Sequence, residues 1–193
     1  MGASYKDGRI VGLHDVELAQ LAAAGGRREF GELVRRHSSA VRALLRRMGA
    51  QASTADDIAQ DAFLQAYERI AEFRGEGTFV SWVRRIAARL YLKRRKKDAQ
   101  LVLEAELREP EQAPAYADNA GRIDLDEALK VLSAPERLCV SLCYGAGLSH
   151  SEVAETLNTP LGTVKSHVKR GLDKLRERMA PQGGDQTGSR AHG

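Results

Sequence analysis

Apolar side chains recur along this chain at intervals of three and four, the spacing that gathers one face of an α-helix. Over residues 28–48, Phe30, Leu33, Val34, Val41, Leu44, Leu45 and Met48 form one stripe, and Gly49 follows it as glycine often follows a helix end. A shorter helix over 15–24 stops at Gly25 and Gly26. Ser53 and Thr54 ahead of Asp56 and Asp57 read as an N-cap with acids in the first turn. The helix they start buries Ile58, Ala62, Phe63, Ala66, Tyr67 and Ile70. Residues 73–77 make a glycine-punctuated loop, and Thr78 caps a further helix to residue 97 that buries Phe79, Trp82, Val83, Ile86 and Leu90. No stretch alternates in the manner of a strand, and no internal repeat is found.

The pattern fails over 98–122. Pro110 and Pro114 interrupt it, and Glu104, Glu106, Glu109, Glu111 and Asp118 make it acidic, which predicts a flexible linker. Such a segment serves as a self-repelling spacer, or as a strap able to lie in a cationic channel. Periodicity resumes at Ile123, with Leu125, Ala128, Leu129 and Leu132 on one face. Ser133 and Glu136 form a capping box with Pro135 near the first helical position, and Ser149 and Glu152 repeat it. The tail, 181–193, is glycine-rich and polar and reads as disordered. The expected fold is all-α: two small helical domains, 11–97 and 123–180, joined by a flexible acidic linker.

The second of these domains carries the sharpest signal. Residues 148–157 form a capped helix, Asn158, Thr159 and Pro160 form a turn, and a second helix follows with a basic face. A brace, a tight turn and a basic helix are the parts of a helix-turn-helix, whose second helix enters the DNA major groove. Val164, Val168, Leu172 and Leu175 must face the core. Gly162, Lys165, Ser166, Lys169 and Arg170 then share another face, where cations and a hydroxyl reach phosphates and base edges. The competing reading is a solvated basic surface.

Charge distribution sharpens the picture more than its total, +4 with a pI of about 9.2. Cations crowd into 27–47, 84–97 and 165–178, and acids into 56–61 and 104–136, so a polyanion and a second, basic partner are both implied. Arg85, Arg89, Lys93 and Lys96 line up beside the buried stripe of their helix, with Trp82 at the border. That arrangement suits a ring stacking on an unpaired base while cations hold its backbone, although packing alone also accounts for Trp82. Asp57, Asp61, Leu64 and Glu68 share a face of the preceding helix. They make either a protein-docking patch, with charge for orientation and an apolar anchor, or a solvated surface.

Several classes are excluded. There is no phosphate-cradling glycine loop, nucleophile–base pair or zinc spacing, so neither a catalytic set, a metal nor a cofactor is expected. No apolar run approaches the roughly 18 residues of a membrane span. The first residues lack a secretory signal, and Lys6 occupies the position where a myristoylation signal needs Ser or Thr. Cys139 and Cys143, four apart in an apolar helical run, read as buried free thiols and agree with a reducing, cytoplasmic location.

Three blocks then resemble the bacterial extracytoplasmic-function (ECF) sigma factors: residues 56–64 (DDIAQDAFL), 73–87 (FRGEGTFVSWVRRIA) and 160–166 (PLGTVKS). Their order and spacing agree over residues 15–180. The resemblance implies a promoter-specificity subunit of RNA polymerase, regulated by an anti-sigma factor. By this likeness Asp57, Gln60, Asp61 and Leu64 contact the clamp helices of the largest core subunit. Arg74, Phe79, Trp82, Arg85, Arg89 and Lys93 handle the melted −10 strand, with a base flipped into a protein pocket. Thr163, Lys165, Ser166, His167, Lys169 and Arg170 read the −35 element, and the second domain packs on the flap of the second-largest core subunit. The chain departs from the family pattern at Arg89 and Lys93, often Asn and an acid, and at His167 and Leu172, where cations are common. Promoter preference is therefore not transferable from relatives. The alternative is a stand-alone LuxR-like regulator, whose recognition helix residues 163–168 also resemble; the acidic helix and the 73–82 block argue against it. A nucleic-acid-processing enzyme lacks a catalytic constellation.

Overall fold

The computed structural model describes residues 10, 12–104 and 125–179, with side chains for residues 10, 12–98 and 125–179. Residues 105–122 of the expected linker, and the expected disordered tail, lie outside the described residues. Among the described residues all regular structure is helical: α1 (Asp15–Ala23), α2 (Arg27–Arg47), α3 (Ala52–Glu68), a 3₁₀ turn (Ile70–Glu72), α4 (Phe79–Glu104), α5 (Leu125–Leu129), α6 (Ala134–Val140), a π-helical turn (Ser141–Gly145), α7 (His150–Leu157) and α8 (Leu161–Met179).

The ends of α1, α2 and α7 share one physical device. After α2, Gly49 takes φ +100, its N–H donates to Arg46 O and the next N–H, of Ala50, donates to Leu45 O. After α7 the same pair of bonds runs from Asn158 to Glu155 and from Thr159 to Ala154, with Asn158 left-handed at φ 49. This motif satisfies carbonyls that a helix end would otherwise leave unpaired, and Asn, whose short polar side chain tolerates the left-handed well, replaces glycine in it. Pro160 follows at once, and its carbonyl accepts the Thr163 and Val164 N–H groups in the first turn of α8. The turn of the helix-turn-helix is thus fixed by backbone chemistry on both sides.

Helices α1 to α4 close round a core that includes Leu18, Leu33, Leu44, Leu45, Phe63 and Val83. Phe79 is fully buried at its centre, packed against Phe30, Phe73 and Trp82 at centroid distances of 5.6–6.3 Å. The second group, α5 to α8, buries Leu142, Val153, Val164 and Val168, with Ala128, Leu129, Leu132, Val140 and Leu175 in a smaller cluster. A Cβ on Gly171 would meet Val140 Cγ2 at 2.9 Å, so glycine lets α8 approach α6 closely. Cys139 is buried and Cys143 half-buried, both as free thiols.

The two groups meet along a seam. Leu44 of α2 fills the space beside Gly145 of the π-helical turn, Arg47 Nε donates to Asp126 Oδ1 at 2.6 Å, and an Arg85 N–H donates to the Gly147 carbonyl at 2.6 Å. The apolar core runs continuously from one group to the other.

Two boundaries differ from expectation. Helix α3 starts at Ala52, with Gln51 as an N-cap that makes no side-chain bond, so Ser53 and Thr54 already lie in the first turn. Buried Ala50 fixes the chain just ahead of it and brings the start forward. Helix α4 runs to Glu104, past the expected linker start at 98. Residues 99–104 (AQLVLE) contain no Gly or Pro, and favourable propensity continues the helix where the core-facing pattern has stopped.

Candidate nucleic-acid and partner interfaces

Helix α3 presents one uninterrupted face to solvent. Asp57, Gln60, Asp61 and Leu64 are all exposed, and Leu64 keeps 57% of its surface in water, unusual for a large aliphatic side chain. Asp57 lies 3.6 Å from Arg94, whereas Asp61 has no ion pair among the described residues. Beside this face runs a groove of about 780 Å³ between α2 and α3, walled by Phe30, Gly31, Val34, Phe63, Leu64 and Tyr67. Asp56 and Arg42, paired at 2.9 Å, line it as well. Sequence reading assigned Phe30, Val34 and Tyr67 to the core stripe and so missed their part in this groove. The bare position at Gly31, where an added Cβ would meet nothing, was the available signal.

The second surface belongs to the loop before α4 and to α4 itself. Gly75 and Gly77 both have positive φ, and Thr78 Oγ1 accepts the Ser81 N–H at 3.2 Å to cap the helix. Arg74 is exposed on this loop. Trp82 is half-buried, braced between Phe73 at 5.6 Å and Phe79 at 5.9 Å, so one part of the ring is held and another is open. Phe79 differs from the expectation that it handles DNA: with no exposed surface it has no face for a base, and its position supports Trp82. Arg85, Arg89 and Lys93 follow at intervals of four on the exposed side. Two of them are engaged from across the seam, Arg85 by the Gly147 carbonyl and Arg89 by Glu152 Oε1 at 3.7 Å.

The third surface is α8. Thr163, Lys165, Ser166 and Lys169 are exposed together, and the Ser166 hydroxyl donates to Gly162 O at 2.9 Å. His167 is half-buried and lines a cleft of about 470 Å³ with Leu92, Arg95 and Lys96 of α4. Arg170 is exposed but leans on its own helix, one N–H meeting His167 Nδ1 at 3.2 Å and its Nε lying 3.8 Å from Glu136.

Glu136 locks α8 in place. Buried at the start of α6, its carboxylate accepts from Lys174 Nζ at 2.8 Å and from the Ser133 N–H at 3.0 Å, closing the capping box predicted there. These donors, Lys174 first, hold its carboxyl down at about 2. Ser149 and Glu152 close the second capping box. The Ser149 donors are the chief reason the Glu152 carboxyl lies below its ordinary value, with the charges of Arg85 and Arg89 adding to the effect.

Among the described residues no group of three or more His, Cys, Asp or Glu is set to hold a metal, and no helix is long and apolar enough to cross a membrane.

Comparison with known proteins assigns both halves. Residues 33–100 match the model of Sigma-70 region 2, and residues 128–177 that of Sigma-70 region 4. The chain is 32% identical over 170 residues to the ECF RNA polymerase sigma factor SigW of Bacillus subtilis, covering 80% of this chain and 91% of that one. It is 30% identical over 192 residues to the ECF RNA polymerase sigma-E factor of Escherichia coli, covering 88% and 96%. The ECF RNA polymerase sigma factor SigE of Mycolicibacterium smegmatis is 32% identical over 157 residues, 77% of this chain but 61% of that relative's length. Among solved structures, the sigma factor RpoE of Bartonella quintana, in complex with the anti-sigma factor NepR, superposes with a TM-score of 0.58 at 24% identity, covering 78% and 96% of the two chains. CnrH, solved with the cytosolic domain of CnrY, gives 0.50 at 26% identity, covering 85% and 96%. A stand-alone LuxR-like regulator leaves the whole region 2 match without an account. With a region 2 half and a region 4 half in one chain, matched nearly end to end by SigW and sigma-E, the protein belongs to the ECF RNA polymerase sigma factors.

Proposed function

We propose that this chain binds core RNA polymerase and directs it to promoters by reading a −10 and a −35 element. The observation that carries the reading is the α3 face: Leu64 exposed among Asp57, Gln60 and Asp61, next to an apolar groove. A helix with an apolar edge and cationic flanks fits it, the apolar side chains entering the groove and the carboxylates fixing orientation. The clamp helices of the largest core subunit are the proposed occupant, with the flap of the second-largest subunit against the region 4 half.

Arg74, Trp82, Arg85, Arg89 and Lys93 then form the surface for the melted −10 strand, the ring stacking on a base and the cations tracking its backbone. Thr163, Lys165, Ser166 and Lys169, with His167 and Arg170 at the edge, form the surface for the −35 element in the major groove. Each half grips a short element. Held by core at a fixed spacing, the two act as one bivalent site whose strength depends on span. A protein partner covering the α3 face would silence the chain, and the relatives solved in complexes with NepR and CnrY motivate assigning that role to an anti-sigma factor. The site of action is the cytoplasm, where core polymerase works.

The test is run-off transcription on genomic fragments with purified core and this protein. Discrete core-dependent transcripts are expected. Footprints on both elements by the protein alone at physiological salt, or no transcripts with any fragment pool, would overturn the reading.

A further inference from the structure

We infer that Asp15 and His37 are positioning residues for Trp82, holding its ring at the angle needed to stack on an unpaired promoter base. Both act on that ring through Phe79, and the inference rests on the assignment of Trp82 to the −10 strand.

His37 breaks the pattern of its own helix. Phe30, Leu33, Val34, Val41 and Leu44 make the apolar stripe of α2, and His37 stands between Val34 and Val41 where another apolar side chain would belong. A largely buried polar ring needs a partner there. Asp15, the first residue of α1, supplies it: His37 Nε2 meets Asp15 Oδ2 at 2.7 Å. The other carboxylate oxygen accepts from Arg36 Nη1 at 3.1 Å, and the same Nη1 donates to the Leu13 carbonyl at 2.8 Å. Arg36 is held in turn by the buried Glu32, its Nε donating to Glu32 Oε1 at 2.7 Å. The imidazole, 17% exposed, is thereby fixed from its polar edge.

The ring's other contact is aromatic. The His37 and Phe79 centroids lie 5.8 Å apart, and Phe79 lies 5.9 Å from Trp82, so the three rings follow one another from α2 into α4. Phe79 is fully buried, and a close-packed interior leaves it no freedom to move alone. Trp82 leans on Phe79 and on Phe73 and is the only one of these rings placed to meet a base in the proposed scheme. A shift of the His37 ring therefore passes through Phe79 to the reading surface. An apolar side chain at position 37 would fill the same space without a hydrogen bond to select one orientation; the imidazole paired with Asp15 has that bond. Helix α1 backs the surface at a second point, since Val16 Cγ1 lies 3.6 Å from where a Cβ on Gly75 would stand, in the loop that carries Arg74.

Trp82 is the chain's single tryptophan, so its fluorescence reports its own placement. Acrylamide quenching is measured on the full chain, and run-off transcription by saturating reconstituted holoenzyme on a duplex promoter and on the same promoter premelted across the −10 element. Asp15→Ala, checked as folded by circular dichroism, is expected to raise the quenching constant about twofold and to lower duplex transcription about threefold or more. Output from the premelted template should stay within about 1.5-fold of wild type, because stacking is no longer needed to open the strands. His37→Phe keeps a ring against Phe79 but loses the bond, and should move all three readouts in the same direction. Asp15→Asn keeps an oxygen for Arg36 and an amide for the imidazole, and should restore wild-type values. In the His37→Phe background, Asp15→Ala should add nothing to the quenching. Unchanged quenching in both single variants overturns the inference, as does an equal loss on the two templates or full additivity in the double variant. Trp82→Ala is read in parallel. If it lowers duplex transcription while Asp15→Ala and His37→Phe do not, the positioning role alone fails; if it changes nothing, the −10 assignment fails and takes the inference with it.

Discussion

Replacing Glu136 by Gln isolates what a single buried charge contributes to holding the recognition helix. The side chain is 6% exposed and links three segments: the Ser133 cap, α6, and α8 through Lys174. Glutamine still accepts the Ser133 N–H, so the substitution removes charge rather than shape. A fall of the carboxyl from 4.5 to about 2, at about 1.4 kcal/mol for each tenfold in proton affinity, limits the contribution to about 3 kcal/mol. Lys174 is 44% exposed, and solvent screening around it brings the expected loss to about 2 kcal/mol. For a chain of this length that is a drop of about 4–8 °C in Tm. The pH dependence has a definite sign. The folded-state value lies below the unfolded one, so the contribution is complete above about pH 4.5 and is lost as the pH falls toward 2. Urea denaturation followed by circular dichroism at a series of pH values reads both features. The wild type and Glu136→Gln should differ at pH 7 and converge in acid. Equal midpoints at pH 7, or a gap that persists undiminished at pH 3, would refute the charge argument.

Three further outcomes are expected. Asp61→Lys reverses an exposed charge on α3, without an ion pair among the described residues, and should weaken core association in a pull-down while leaving thermal stability within about 0.5 kcal/mol of wild type; retained association would remove Asp61 from the docking face. Lys169→Ala should weaken −35 binding by about 1–3 kcal/mol if the ammonium reads a base, and should instead lower the salt slope by about one, uniformly across sequences, if it contacts a phosphate; titration of matched and scrambled duplexes at several salt concentrations separates the two, and no change in either dismisses the face. Gly49→Ala forces a Cβ into a backbone at φ +100, where it would rest at an ordinary 3.6 Å from the Tyr91 hydroxyl, so backbone strain should cost about 1–2 kcal/mol, measured by urea denaturation.

Much of the fold was legible because amphipathic stripes and capping chemistry are local. Phe30 to Met48, the Ser133 and Ser149 boxes and Gly49 each declare themselves within a few residues. Features set by distant parts of the chain were not. Arg85 and Gly147 are 62 residues apart, and no periodicity connects them. The π-helical turn has no Gly or Pro at its start to mark it, and it sits against α2 and α4, contacts that no local pattern encodes. At Phe79 the two readings of the sequence part: the helical stripe places it in the core, where it is entirely interior, and only its place in the family's motif assigns it to DNA, since a motif fixes residue type without saying which atoms reach solvent. The α3 face shows the reverse limit. Its exposure was predicted correctly, but the groove beside it depends on how α2 lies against α3.

The two thiols constrain how this protein can take part in signalling. Burial raises both above their ordinary value, Cys143 to about 11 with its neighbour Cys139 contributing. At neutral pH both therefore stay protonated, and the ionised form is the one that peroxide or an alkylating reagent attacks. Both thiols are thus poor targets, and an oxidative cue acting through them would meet a slow reaction at a buried or half-buried sulfur.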